Sequence, residues 1–221
     1  MYIDNAAIGR EALSKKRAFR PLQTPGDVLH FWFDDAASDP TKLPERDNLW
    51  WSGDEDVDRL VASRSVAILA RLASGLGEIW ADKGAAERLA AIVALDQFTR
   101  NIFRDTEFAF ENDDLALKLC KSGLAKDDDK VLAPVKRWFF YLPLMHSENI
   151  DDQDLCVQLF EILRDQADDV SKEALEDAYN FAIKHRDVIA EYGRFPHRNK
   201  VLGRISTPAE EEYLAQPGAG F

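Results

Sequence analysis

Three stretches of the sequence carry residues of the kinds that bind anions or move protons. They are DQFTRNIFR at residues 96–104, HSE at residues 146–148, and YGRFPHRNKVLGR at residues 192–204, which is preceded by His185. Histidine titrates near neutral pH, and the planar guanidinium of arginine binds carboxylate or phosphate through two parallel hydrogen bonds. We therefore predict that the three stretches form a polar pocket for a small anionic ligand.

Each side chain has an expected role in such a pocket. Histidines next to carboxylates can act as general acids and bases, and arginines can hold the anion. The residues that we expect to move protons are Asp96, His146, Glu148 and His185. The residues that we expect to surround the ligand are Arg100, Arg104, Arg194, His197, Arg198 and Arg204.

Helical periodicity places the first stretch on a face that is otherwise apolar. At 100° per residue, Asp96 and Arg100 fall on the same face as Leu89, Ile92 and Val93. A buried charged pair at this spacing costs several kcal/mol in lost solvation unless it is paired or faces a cavity. The pattern therefore fits either the wall of a pocket or a buried structural ion pair.

The second and third stretches are predicted to lie at helix ends. Pro143 is expected to bend or interrupt its helix, which leaves His146 and Glu148 close to a cleft. Gly193 is a natural residue to follow a helix that ends at Tyr192. The alternative to a ligand site is that the arginines bind carbonyl groups and acidic neighbours and tie the C-terminal region together.

The elements that must position these residues are all predicted to be helices. From Thr24 onward the apolar residues recur at helical spacing, and no stretch shows the alternation that is typical of a strand. The predicted fold class is all-α, a single-domain array of antiparallel helix pairs that is tetratricopeptide-like. We divide the chain into a basic extension at residues 1–24, the helical domain at residues 25–215, and a flexible tail at residues 216–221.

The composition excludes several classes of function. The chain has 28 Lys and Arg against 40 Asp and Glu, so its net charge is −12 and it repels nucleic acid and acidic membranes. Its longest apolar run, WFFYLPLM, is too short for a bilayer span. Two cysteines, Cys120 and Cys156, cannot build a disulfide framework. We expect a cytoplasmic protein with no nucleic-acid or membrane partner.

Several long motifs resemble one known family. The stretches LDQFTRNIFR, RWFFYLPLMHSEN followed by DDQ, and YGRFPHRNKVLGRISTPAEEEYL closely resemble the bacterial family called domain of unknown function 924. The resemblance covers about residues 25–215 and implies an all-helical fold similar to tetratricopeptide superhelices. The family has no established activity, so the resemblance implies fold and site positions without a reaction.

The resemblance also implies a set of signature positions. Thr99 stands where the family usually has proline, and Tyr192 stands where it usually has phenylalanine. The signature positions are Asp96, Gln97, Arg100, Asn101, Arg104, His146, Glu148, His185, Arg194, His197, Arg198, Asn199 and Arg204. Gln97, Asn101 and Asn199 thereby join the expected ligand-binding residues.

Other functions stay open at the level of sequence. A tetratricopeptide-like module could hold an acidic peptide in a groove lined by the same arginines. A metal site on the histidines is disfavoured by the surrounding arginines, so we predict no metal and no cofactor. A structural protein, or a homodimer with exposed aromatic residues at its interface, is the remaining alternative.

Overall fold

The computed structural model describes residues 20–220, which form helices joined by short turns. Within that range no strand occurs, so the prediction of an all-α fold is confirmed. The tetratricopeptide-like arrangement stays a prediction. The α-helices are α1 Pro25–Phe33, α2 Asp47–Trp51, α3 Glu55–Arg71, α4 Gly77–Ala81, α5 Ala85–Val93, α6 Thr99–Ile102, α7 Asp113–Leu124, α8 Pro134–Met145, α9 Ile150–Asp165, α10 Lys172–Tyr192 and α11 Pro208–Leu214.

Shorter turns connect these helices. The 3₁₀ turns are Asp34–Ala37, Pro40–Glu45, Glu107–Phe110, Asp128–Val131 and Pro196–Arg198. A kink at Leu72–Leu76, where Ser74 and Gly75 leave the helical conformation, separates α3 from α4, and one wide π turn, Ala94–Phe98, lies between α5 and α6.

Hydrogen-bonded caps mark several helix ends. The Thr207 hydroxyl accepts a hydrogen bond from the Glu210 amide, and the Glu210 carboxylate accepts one from the Thr207 amide. Thr24 and Asp27 form the same reciprocal pair at the start of α1. Such caps satisfy backbone donors that the first helical turn leaves unpaired. Gly193 ends α10 with a φ of 68°, which glycine adopts without steric cost.

A helix break occurs at Gly75, but the interruption that was expected at Pro143 does not occur. Helix α3 ends at Arg71, and the chain resumes as α4 at Gly77 after a kink in which Gly75 has a φ of 106°. Pro143 does not interrupt α8, which continues to Met145. Pro143 lies in the last turn of α8, where its missing N–H removes only one intrahelical hydrogen bond.

Helix α5 lies at the centre of the molecule. Its residues from Arg88 to Val93 are all buried, and it packs against α1, α4, α7 and α8. The aromatic side chains of α1, α2 and α8 meet there, with Phe139 packed edge-on against Trp32 and Phe33. Each large aromatic that is withdrawn from water contributes roughly 1.5–3 kcal/mol. Helices α8, α9 and α10 pack in succession on one side of this core.

A buried arginine outside the three motifs ties α5 to α7. Arg88 is 2 % exposed and donates to the Asp128 carboxylate at 2.7 Å and to the Ser122 hydroxyl at 2.6 Å. It also donates to the carbonyl oxygens of Leu119 and Ala81. Because its charge is paired and its donors are used, Arg88 is a structural residue.

The described part of the predicted N-terminal extension is docked on α3. The Leu22 side chain is buried, and the Leu22 amide donates to the Arg64 carbonyl oxygen at 2.8 Å. The rest of that extension, residues 1–19, lies outside the described residues, as does Phe221 of the predicted tail. Residues 216–220 follow α11 as turns, and the Gly220 amide donates to the Tyr213 hydroxyl at 3.4 Å.

The helical segment Glu55–Ala81 is long and apolar enough to cross a membrane by length and composition alone. It has 27 residues, and its most apolar window has a mean hydropathy of 1.3. Core helices of soluble proteins pass the same test, so this segment does not assign a location.

Candidate functional site

The first motif does not continue α5 as a regular helix. Asp96 lies in the π turn Ala94–Phe98, where the backbone makes one wide turn before α6 begins. The Thr99 hydroxyl donates to the Leu95 carbonyl oxygen, and Arg100 Nη1 donates to the Asp96 carbonyl oxygen at 2.7 Å. Single π turns occur frequently at functional sites because they re-aim side chains. Here the turn directs the Asp96 carboxylate toward the end of α8.

Asp96 and His146 form a buried hydrogen-bonded pair. The Asp96 Oδ1 atom lies 2.8 Å from His146 Nδ1, although the residues are 50 positions apart. Burial raises the pKa of Asp96, but the charge of Arg100 and the contact with His146 outweigh burial and hold that pKa well below its usual range. An ionised carboxylate can only accept, so Nδ1 carries the hydrogen. Nε2 of the neutral imidazole is then the basic nitrogen.

The pKa of His146 lies below its ordinary value. Burial and the charge of Arg100 lower the pKa, and they outweigh Asp96, which raises it. His146 is therefore neutral near pH 7. An imidazole that is held by a carboxylate at Nδ1 and neutral at working pH is suited to accept a proton at Nε2.

Two arginines and a second aspartate complete this cluster. Asp113, the first residue of α7, accepts from Arg100 Nη1 at 2.9 Å and from Arg100 Nη2 at 3.1 Å. Arg198 Nη1 reaches the same carboxylate at 3.4 Å, and Arg198 Nη2 donates to the His146 carbonyl oxygen at 3.0 Å. We call Asp96, Arg100, Asp113, His146 and Arg198 the histidine–arginine cluster.

Arg198 is held between two aromatic rings. Its guanidinium carbon lies 4.5 Å from the Phe110 ring centroid and 4.6 Å from that of Phe195. Burial, with the charge of Arg100, lowers the pKa of Arg198 to about 10. Its Nε is buried and has no hydrogen-bond partner. Leaving such a donor unpaired costs roughly 1–3 kcal/mol, so Arg198 is not fully bonded in this structure.

His185 lies behind His146. Its ring centroid is 6.4 Å from that of His146 and 5.6 Å from that of Phe195, and His185 Nδ1 lies 2.8 Å from the Phe181 carbonyl oxygen. Burial lowers the pKa of His185 to about 3, helped by the neighbouring His146. His185 is thus a neutral, buried neighbour of the cluster.

Glu148 contacts the C-terminal loop and not His146. Its two oxygens accept from Arg204 Nη1 at 2.7 Å and Nη2 at 3.0 Å, and Oε1 also accepts from the Phe195 amide at 2.8 Å. Burial raises the pKa of Glu148, but these hydrogen bonds outweigh burial and lower it. Arg204 also donates to the Phe195 carbonyl oxygen and to Asn199 Oδ1. Glu148 and Arg204 therefore fasten the loop to the end of α8.

Arg194 and Asn199 link the same C-terminal loop to α11. Arg194 Nε donates to Glu210 Oε1 at 2.6 Å, and Arg194 Nη2 donates to Glu210 Oε2 at 2.8 Å. Asn199 Nδ2 donates to the Ser206 hydroxyl and to Glu210. The Arg194 bonds and the Thr207 amide hold the pKa of Glu210 at about 2. We call Glu148, Arg194, Asn199, Arg204 and Glu210 the C-terminal network.

Arg104 and Asn101 lie in a third group, away from His146. Arg104 donates to both oxygens of Asp58, at 2.6 and 2.9 Å, and Asn101 Nδ2 donates to Asp58 Oδ1 at 2.8 Å. These contacts join α6 to α3. Gln97 stays with the cluster, because its Nε2 donates to Asp96 Oδ2 at 2.6 Å.

His197 lies between the C-terminal loop and the tail. Its ring centroid is 5.6 Å from that of Phe195, and Gly220 packs against its side chain. Burial, with the charge of Arg198, lowers the pKa of His197 to about 4. The three motifs are thus distributed over adjacent groups and do not surround one common space.

Three side chains of the cluster are partly exposed to solvent. The side chains of Arg100 and Asp113 are each 20 % exposed and that of His146 is 15 % exposed, whereas Asp96 is buried. Two cavities of the described chain lie elsewhere. One of about 270 Å³ is bounded by Leu43, Trp138 and Leu175, and one of about 460 Å³ lies beside Tyr192 and Arg194. Within residues 20–220 no group of three or more metal-ligating side chains occurs.

Sequence reasoning missed two members of the site. Asp113 and Phe110 lie in the stretch FAFENDDLAL, where acidic residues before a helix are ordinary capping residues. A signal was available only in three dimensions, because Asp113 is 13 residues from Arg100 and 85 from Arg198.

Comparisons with known proteins agree with this fold. A family model described as a bacterial protein of unknown function, DUF924, matches residues 28–218. A solved structure of a protein of unknown function from Agrobacterium tumefaciens is 30% identical, with a TM-score of 0.72. The match covers 86% of this chain and 96% of that one. No curated protein matches. The chain therefore belongs to the DUF924 family of bacterial proteins of unknown function.

Proposed function

We propose that the histidine–arginine cluster binds a small anionic ligand and exchanges a proton with it. Arg100 and Arg198 hold the anion, His146 accepts or donates the proton at Nε2, and Asp96 fixes the imidazole. The observation that carries this proposal is the buried Asp96–His146 pair at 2.8 Å, with an incompletely bonded arginine, Arg198, against the same histidine.

A purely structural role accounts less well for this cluster than for the other two groups. Arg194, Arg204 and Arg104 each make two hydrogen bonds to a single carboxylate, which is the favoured geometry for a permanent arginine–carboxylate pair. Arg198 has no such pair: its contact with Asp113 is 3.4 Å long, its Nη2 donates to the His146 carbonyl oxygen, and its Nε is unpaired. Natural proteins rarely leave a buried charged donor in this state without a use for it. The proposed ligand therefore binds at Arg198 and its neighbour Arg100, and not at Arg194, Arg204 or Arg104.

The charged groups of the cluster balance one another before a ligand binds. Asp96 and Asp113 balance Arg100 and Arg198, and His146 is neutral near pH 7 because its pKa is lowered. Proton transfer to His146 makes the imidazole cationic beside Asp96, which stabilises that charge. Perturbed histidines of this kind cluster at functional sites. Asp96 acts as a positioning residue, since it touches His146 and not the ligand.

Binding is tested with small anions and matched arginine variants. We expect ligand-observed NMR to detect binding of one or more members of a mixture of small carboxylates and phosphates to the wild-type chain. Arg198→Gln should weaken that binding at least about tenfold, because a charge-assisted hydrogen bond contributes roughly 1.5–3 kcal/mol. Arg59→Gln, which removes an exposed surface arginine, is the control and should leave affinity unchanged.

The protonation of His146 has its own readout. In ¹⁵N NMR spectra, His146 should be a neutral Nδ1–H tautomer at pH 7, with a pKa below the 6.5 of a free side chain, and Asp96→Asn should shift the tautomer equilibrium. A doubly protonated His146 at pH 7 contradicts the proposed proton acceptor. Binding of an acidic peptide without binding of any small anion would favour the tetratricopeptide-like module instead.

A further inference from the structure

Asp113 occupies the place beside the arginines that an anionic ligand needs. Its two oxygens face the two terminal nitrogens of Arg100 at 2.9 and 3.1 Å, and one of them also lies 3.4 Å from Arg198 Nη1. Phe110 covers both guanidinium groups, with its centroid 5.7 Å from Arg100 and 4.5 Å from Arg198. A carboxylate is therefore already bound in the centre of the cluster, and it belongs to the protein itself.

The contact between Asp113 and Arg198 is weaker than the two contacts between Asp113 and Arg100. At 3.4 Å it is longer than an ordinary charge-assisted hydrogen bond. Arg198 is 7 % exposed, and its Nε has no acceptor. Asp113 thus accepts two hydrogen bonds from Arg100 but gives Arg198 only a weak one. A short aspartate side chain that is fixed to α7 cannot accept strong hydrogen bonds from both arginines.

We propose that Asp113 is an internal stand-in for the ligand, and that the ligand is an organic carboxylate whose two oxygens replace those of Asp113 between Arg100 and Arg198. This inference rests on the proposed function of the same cluster. It adds the chemical class of the ligand and assigns to Asp113 the role of an intramolecular competitor.

Charge balance favours a carboxylate over a phosphate. Exchange of one carboxylate for another keeps two negative and two positive groups around His146, and the planar two-oxygen geometry that Arg100 already shows is preserved. A phosphate dianion would add negative charge beside the ionised Asp96, where like charges repel. The displaced Asp113 carboxylate is 20 % exposed and sits at the N-terminus of α7, where the helix dipole favours negative charge in solvent.

The test compares affinities for named anions in charge-matched variants. Acetate, succinate and benzoate, and separately inorganic phosphate, are titrated into the wild-type chain, Asp113→Asn and Asp56→Asn, with the His146 ring resonances as the readout. Asp56 is an exposed carboxylate that pairs with Arg59, so its variant removes the same charge away from the cluster. Unfolding temperatures establish that each variant is folded, and Asp113→Ala replaces Asp113→Asn if the latter does not fold.

The expected result is that Asp113→Asn binds a carboxylate about tenfold more tightly than wild type, because removal of a competitor raises the binding-competent fraction. Asp56→Asn should match wild type, and phosphate should bind more weakly in all three. If wild type and Asp113→Asn bind carboxylates with equal affinity, the role of Asp113 is wrong. The proposed function still holds in that case if Arg198→Gln loses binding. Tighter binding of phosphate overturns the ligand class, and no binding by any variant overturns both proposals.

Discussion

The Arg204–Glu148 ion pair is expected to contribute strongly to stability. Arg204→Ala removes both hydrogen bonds to Glu148 and the donors to the Phe195 carbonyl oxygen and Asn199 Oδ1. Glu148 then keeps only the Phe195 amide as a partner. The substitution therefore leaves Glu148 Oε2 without a donor in a mostly buried place, whereas the Phe195 carbonyl oxygen keeps the Arg198 amide.

The size of the effect follows from burial. The Arg204 and Glu148 side chains are 22 % and 28 % exposed. Removing one partner of a fully buried pair costs about 3–5 kcal/mol, and of an exposed pair about 0.2–1 kcal/mol. We expect about 3 kcal/mol for Arg204→Ala, which corresponds to a fall in Tm of about 6–12 °C for a chain of this length.

A double-mutant cycle measures the pair itself. Urea unfolding of wild type, Arg204→Ala, Glu148→Gln and the double variant should give a coupling free energy of about 2 kcal/mol. Arg104→Ala is the matched control, because Arg104 also makes two bonds to one carboxylate but is 42 % exposed, and it should cost less than about 1 kcal/mol. A coupling below about 0.5 kcal/mol would refute the structural role of Glu148 and restore it as a candidate for proton transfer.

Two further predictions concern stability away from this pair. His185 has a pKa of about 3 in the fold against 6.5 in the unfolded chain, so the unfolded state binds a proton first as the pH falls; stability should drop by about 1 kcal/mol between pH 6.5 and 5.5. Urea unfolding at both pH values should show a smaller drop in His185→Phe, whereas the exposed His30→Gln should behave like wild type. Gly123→Ala should lower the unfolding free energy by about 1–3 kcal/mol, because the new methyl group would lie 2.5 Å from Arg88 Cδ and 2.6 Å from Phe140 Cζ; unchanged stability in a thermal melt would contradict this packing.

The sequence predicts many of the residues of the candidate site, but it does not predict which of them contact each other. Polar residues on apolar faces identified Asp96, Arg100 and His146, and the structure brings these three together. The same reasoning paired His146 with Glu148, which instead contacts Arg204. It grouped Arg104 with the other arginines, although Arg104 binds Asp58 on α3. Asp113 was missed because an acidic residue at a helix start has an ordinary explanation.

Features that depend only on residues close in the chain can be derived from the sequence. Helix periodicity, the Thr24 and Thr207 caps and the left-handed Gly193 are set by interactions within about four positions along the chain. These features established the all-α class and the start of α11. They also placed the cationic loop after α10.

The partners of the charged side chains, in contrast, are defined by the tertiary structure. The partners of His146, Arg198 and Arg204 lie 50 to 85 residues away along the chain, except for contacts within the C-terminal loop. The π turn at Ala94–Phe98 further shifts the direction of Asp96 from what a count of 100° per residue predicts. Ion pairing depends on distances of a few ångströms between side chains on different helices, and the pattern of a single helix carries no information about its neighbour.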